Sequence, residues 1–287
     1  MRSFTVWALA ITTLGVAFVA PATAETLVEL ANRTHFHGIA VNSGGSAALI
    51  VATHHGVYAI ERGGDVTAVS PIQDFMGFSP DPANSLGYYA SGHPGAGGNL
   101  GLIHSSDGGS NWKQISEGGN GPVDFHQMDV SLADPKTIYG VYGFLQLSRD
   151  GGMTWTDAGA PPSGLIAISA SSVSADHIYA ATNTGLYSSR DSGTTWTYLQ
   201  LGTEPVSMVK SAPGGVLFAF VVGRGFYSAS EQEPEVWALL SNDFGSKILL
   251  HLAVDPGNAN SLFATTVDNE VLESADGGKT WQVFDLK

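Results

Sequence analysis

One eight-residue phrase recurs at a near-constant period, and this repeat limits the possible folds more than any other feature of the chain. It reads Ser105-Ser106-Asp107-Gly108-Gly109-Ser110-Asn111-Trp112, then Ser148-Arg149-Asp150-Gly151-Gly152-Met153-Thr154-Trp155. It returns as Ser189 to Trp196 around Asp191, and as Ser274 to Trp281 around Asp276. The tryptophans at 112, 155, 196, 237 and 281 stand 43, 41, 41 and 44 residues apart; around Trp237 the phrase has decayed but the spacing persists. Self-similarity at such a period is the mark of a solenoid, a propeller or another array.

Between the copies run short alternating or apolar stretches broken by Gly, Asn, Asp and Pro, with no sustained 3.6-residue periodicity. That is the pattern of about four antiparallel strands per repeat. The opening strands stack as 35–41, 74–78, 124–130, 164–169, 206–209 and 249–254. The second strands stack as 48–55, 86–93, 137–142, 177–182, 216–222 and 261–267. Six units of roughly 44 residues over 25–287 predict an all-β, single-domain, six-bladed β-propeller. A seventh blade would need a unit the sequence does not contain. Thr26–Leu30 is expected to add a strand to the last blade and close the ring. The 36 glycines suit many tight turns, and 13% charged residues leave ample apolar surface for a core.

Residues 1–24 read as an address. Arg2 precedes an apolar run from about Phe4 to Ala20, and Pro21-Ala22-Thr23-Ala24 supplies a small-residue cleavage site, as in a secretory signal peptide. The run is short for a bilayer span. The expected product is residues 25–287, periplasmic or secreted, with no membrane span after cleavage. With 26 acidic against 12 basic residues and a net charge of −14, nucleic acid and anionic membranes are poor partners. No cysteine is present, which excludes disulfides, lipoprotein anchoring and every thiolate metal site.

The Ser-x-Asp-x-Gly-x-Thr-Trp phrase resembles the Asp-box (BNR) repeat of sialidases, sortilin-type receptors and related propellers. Its physical reading is structural. The box belongs at the turn between a blade's third and fourth strands, where Asp107, Asp150, Asp191 and Asp276 accept turn amides. Glycine takes the positive-φ position, and Trp112, Trp155, Trp196 and Trp281 pack beneath the turn against a neighbouring blade.

The nine histidines nearly match the lysines and arginines in number, and they are not evenly spread. In a propeller blade the inner strand begins on the face where the second strand ends. His35 and His37 open the inner strand of blade 1, while His54 and His55 end its second strand. His93 ends the second strand of blade 2, and His126 opens blade 3. Stacking the inner strands places His37, Met76 and His126 in one column, with His35, Asp74 and Asp124 two residues earlier. Residues two apart share a face, which also brings in Met128. Blades 4–6 carry Gly164 and Leu250 near these positions, so the polar patch is one-sided.

Three readings of this face remain open beside plain strand-end capping. Imidazole plus thioether without thiolate suits copper, with His37, His126 and Met76 as ligands and His54, His55 or His93 adding one. Asp74 and Asp124 are alternatively a carboxylate pair for glycoside hydrolysis, with the histidines on sugar hydroxyls. Or the face binds a partner protein, like the propellers that assist assembly of photosynthetic complexes.

The phrases His-Phe-His-Gly, Ala-Thr-His-His-Gly, Asp-Phe-Met-Gly-Phe-Ser-Pro, Ser-Gly-His-Pro-Gly and Asp-Phe-His-x-Met resemble a family of exported bacterial Asp-box propellers. These are called glycosylhydrolase-like after their sialidase-related repeats. The likeness covers the mature chain and implies the fold; its implication for activity comes from the repeat alone. A sialidase needs an arginine triad, and Arg149 and Arg190 sit inside boxes on the opposite face. That leaves Arg33, Arg62 and Arg224, without an Arg-Ile-Pro motif, so sialidase activity is not expected.

Overall fold

Each repeat folds into one antiparallel sheet, because apolar runs of four to eight residues bounded by turn formers have the length of strands and not of helices. A computed structural model describes residues 25–46 and 48–284. The expected signal segment, 1–24, lies outside the described residues.

Blade 1 comprises β1 (Glu25–Thr26), helix α1 (Leu27–Arg33), β2 (Phe36–Val41), β3 (Leu49–Thr53), β4 (Gly56–Ile60) and β5 (Asp65–Ala68). Blade 2 is β6 (Met76–Pro80), β7 (Tyr88–Ser91), β8 (Leu102–Ser105) and β9 (Lys113–Ser116). Blade 3 is β10 (Gln127–Val130), β11 (Ile138–Tyr142), β12 (Phe144–Ser148) and β13 (Thr156–Gly159). Blade 4 is β14 (Leu165–Ala170), β15 (Ile178–Thr182), β16 (Gly185–Ser189) and β17 (Thr197–Leu199). Blade 5 is β18 (Val206–Ala212), β19 (Val216–Val221), β20 (Gly225–Ser230) and β21 (Glu233–Ser241). Blade 6 is β22 (Leu249–Asp255), β23 (Asn258–Thr266), β24 (Val271–Ser274) and β25 (Gln282–Val283). Within every blade the four strands from the inner one outward pair antiparallel in order, and in blade 1 the extra strand β1 joins the outer edge. The inner strands β2, β6, β10, β14, β18 and β22 touch in sequence around a ring, β22 returning to β2. The chain is a six-bladed β-propeller, as its repeat predicts.

Closure differs from expectation. Thr26–Leu30 does not join the last blade. β1 pairs with β5 of blade 1, and Leu27–Arg33 is a helix started by a capping box, in which Thr26 and Glu29 exchange hydrogen bonds. Leu27 and Leu30 are buried against blade 1. Side chains clasp the ring instead. Asn269 of blade 6 accepts the Phe36 amide at 3.1 Å and donates to the Ala31 carbonyl at 3.2 Å, and Arg62 reaches Glu273 at 3.3 Å.

The four Ser-x-Asp turns join third to fourth strands as expected. The Ser Oγ accepts the glycine amide four residues on, at 3.0, 2.8, 2.7 and 2.9 Å for Gly109, Gly152, Gly193 and Gly278. Each aspartate accepts both the amide and the side chain of the residue four beyond it: Asn111, Thr154, Thr195 or Thr280. These bonds pull the Asp107, Asp150 and Asp191 carboxyls down to about 2. Trp155 bonds Ser116 of blade 2 at 2.9 Å, and Trp281 meets Phe226 of blade 5 edge-on at 5.3 Å. The aspartates are turn makers, saturated by their own loops and away from the histidine face.

Blade 5 has lost the phrase, and its third turn carries Glu231 in its place. Trp237 therefore sits inside the nine-residue strand β21 rather than under a turn.

Candidate metal centre

A β-bulge aims the first histidine. Phe36 pairs with Thr53 and Gly38 with Ala52, leaving His37 as the extra residue of β2. Bulges break strict alternation and re-aim a side chain. His54 follows β3, and its ring packs edge-on against His37 at 4.2 Å and against His35 at 5.8 Å.

Asp74 enters from blade 2, fixed by its backbone. The Phe75 amide donates to the Thr53 carbonyl at 3.1 Å, and the Asp74 amide to the His93 carbonyl at 3.1 Å. This approach needs Gly92, whose φ is +123° and whose Cβ would lie 2.3 Å from the Asp74 carbonyl oxygen. Blade 3 docks similarly, with the Phe125 amide donating to Ser91 Oγ at 2.9 Å and so setting Asp124 and His126 in place.

The side chains then meet in a row. His54 Nδ1 lies 3.0 Å from Asp74 Oδ2, and His93 Nδ1 lies 3.5 Å from the same oxygen. His93 Nε2 is 3.5 Å from Asp124 Oδ2, which His126 Nε2 approaches to 2.9 Å. Asp74 and Asp124 are 8% and 6% exposed. On the inner side, His37 Nε2 stands 3.9 Å from Asp74 Oδ1. Both atoms are buried without a hydrogen-bond partner, as is Asp124 Oδ1. Orphaned buried polar atoms are uncommon in native proteins and call for an explanation. Burial, reinforced by His54, His251, His126 and His35, pushes His37 down to about 3. Its imidazole is therefore neutral, the form that ligates metal. His37, His54 and Asp74 each offer a donor atom within 4.8 Å of the other two.

Of the predicted residues, His35, His37, His54, Asp74, His93, Asp124 and His126 are brought together across blades 1–3. His55 is exposed at the β3–β4 turn, its amide on Thr53 Oγ1 at 2.9 Å. Met76 is buried opposite Ser91. Met128 is buried against Tyr89 and Phe125, and it also lines the central channel.

His251 is a member that the sequence reading missed. Strict alternation from β22 turns Leu250 toward the mouth. A bulge between Leu249 and His251 breaks that alternation, and His251 faces the channel with Leu250. Burial pushes it down to about 4, opposed by a hydrogen bond with the Phe36 backbone. The channel is a cavity of about 400 Å³ whose lining includes His37, His126, Met208, Lys210 and His251. Deeper in, Lys210 pairs with Asp129 at 2.9 Å, and Asp129 also accepts from Ser79, Ser169 and the Ala170 amide.

The fold and its mouth thus define a six-bladed propeller with an imidazole–carboxylate cluster at one face. No protein-family model and no curated protein matches the chain. Solved propellers do. It superposes on a GH74 xyloglucanase from Xanthomonas campestris with a TM-score of 0.59 at 17% identity, covering 87% of this chain and 45% of that one. A structure of YCF48 bound to D1 peptide gives 0.55 at 18% identity, covering 87% and 82%. A nidogen/laminin complex gives 0.60 at 13% identity, covering 83% and 92%. The chain spans less than half the length of the GH74 enzyme, and likenesses this distant establish the fold alone. Among the described residues no helix is long and apolar enough to cross a membrane.

Proposed function

We propose that this chain is an exported Asp-box propeller that binds a first-row metal ion, copper by preference, at the mouth of blades 1–3. His37, His54 and Asp74 are its ligands, and His35, His93, His126 and His251 surround them. The observation that carries the reading is the 3.9 Å gap between two buried, unpartnered donors, His37 Nε2 and Asp74 Oδ1. It is too long for a hydrogen bond and suits an ion with donors at about 2.0–2.2 Å. Nitrogen and carboxylate donors bind Cu²⁺ more tightly than other divalent first-row ions. Metal analysis after loading with Cu⁺, Cu²⁺ and Zn²⁺ tests it. Stoichiometric copper that falls in His37→Ala supports the reading, and wild-type retention no greater than that variant's overturns it.

A second reading, a protein-binding scaffold, is favoured by the exposed apolar residues beside the cluster. Ile72, just before Asp74, is 81% exposed, and Tyr142 at the end of β11 is 45% exposed. Capture from periplasm with wild type and an Ile72→Asp variant tests it; a partner retained equally by both contradicts it. The hydrolase reading meets an obstacle, because His93 occupies the space between Asp74 and Asp124 where a glycosidic bond would have to lie.

A further inference from the structure

The row of side chains has a repeated plan. Asp74 carries His54 at 3.0 Å and His93 at 3.5 Å; Asp124 carries His126 at 2.9 Å and the other nitrogen of the same His93 at 3.5 Å. Each aspartate is more than nine-tenths buried, and each keeps one oxygen, Oδ1, buried with no partner. The two halves are related through the His93 ring, which sits between them.

Geometry makes the second half as demanding as the first. A buried polar atom without a partner calls for an explanation, and Asp124 Oδ1 is such an atom, as is Asp74 Oδ1. The ion pairs described for Asp124, to His93 and His126, both lie at its other oxygen. One ion at His37, His54 and Asp74 meets the orphaned oxygen of Asp74 and leaves that of Asp124 without a partner.

We infer that the face holds two metal ions: the second is bound by Asp124, His126 and His93 Nε2, while His93 Nδ1 keeps its proton directed at Asp74. This rests on the metal-binding reading above and adds a site to it. The donors are the same imidazole and carboxylate types, so the second ion belongs to the same first-row class. His93 and His126 are 44% and 60% exposed at their side chains. That freedom lets both rings close on an ion beside Asp124, whereas His37 is held in its bulge.

The test uses the full chain loaded with Cu²⁺ alone, with copper counted per chain and electron paramagnetic resonance recorded. The expected result is two copper ions per chain and a half-field transition from their dipolar coupling. Asp124→Asn and, at an exposed position that leaves the core untouched, His126→Ala each lower the count to one and remove that transition. His37→Ala also lowers it to one, leaving the other ion. A single copper per wild-type chain, unaffected by Asp124→Asn and His126→Ala, overturns this inference and leaves the first reading standing. Two coppers that survive both substitutions overturn it as well, and no copper overturns both.

Discussion

His37 Nε2 and Asp74 Oδ1 face each other across 3.9 Å, buried and without a hydrogen bond between them. One comes from a bulge in blade 1 and the other from the entry of blade 2, so the ring itself holds them apart. Both atoms are buried, and backbone bonds fix the two segments that carry them. Single buried polar atoms lack a partner elsewhere too, Tyr88 Oη and His177 Nε2 among them, but here an imidazole nitrogen and a carboxylate oxygen face each other.

Glu231 is the clearest contrast. In blade 5 it accepts hydrogen bonds from Ser171 and Ser211 hydroxyls, both donors of Ser172, and Tyr179, locking blade 5 to blade 4. Glu231→Ala strands these donors in the interior. A loss of about 3 kcal/mol or more is expected, read as a lower urea midpoint, with copper per folded chain unchanged.

Acid sensitivity has an identifiable source outside the site. His177 is 2% exposed and packs at a tilt against Tyr179, ring centroids 4.4 Å apart. Burial, helped by Arg190 and opposed by Glu231, pushes it down to about 4. Its folded pKa lies below the unfolded one near 6.5, so the unfolded chain takes the proton first. Stability is therefore complete above pH 6.5 and falls as pH drops toward 4, by at most about 3 kcal/mol from this group. His177→Phe should flatten melting temperature against pH across that window. An unchanged slope would contradict the assignment.

Ring closure depends on Asn269, whose φ of +62° only asparagine and glycine adopt readily. Asn269→Gly keeps that backbone and deletes both clasp bonds, to Phe36 and Ala31. A cost of about 1–2 kcal/mol is expected. Hydrogen exchange at the Phe36 amide should accelerate while amides of blade 4 keep their protection.

The propeller was legible because four of its six repeats carry the same turn chemistry, from Ser105–Trp112 to Ser274–Trp281, and the strand alternation continues through the others. The histidine face was legible too, since strand direction alone sorts residues to one end of a blade. Two things were not. Thr26 and Glu29 form a capping box that competes with strand formation, and a reading weighted toward closing the ring passed over it. His251 was hidden by a bulge, because one inserted residue changes which side chain faces the channel. The orphaned atoms at His37, Asp74 and Asp124 are a matter of three-dimensional packing, and no spacing in the sequence encodes them.

The central claim is that an ion fills the space between His37 and Asp74. Anomalous diffraction at the copper edge, from crystals of the full chain soaked in Cu²⁺, addresses it directly. The account predicts a peak about 2.0–2.2 Å from both His37 Nε2 and Asp74 Oδ1, with His54 completing its shell. A fully soaked crystal with no peak between those two atoms would contradict it.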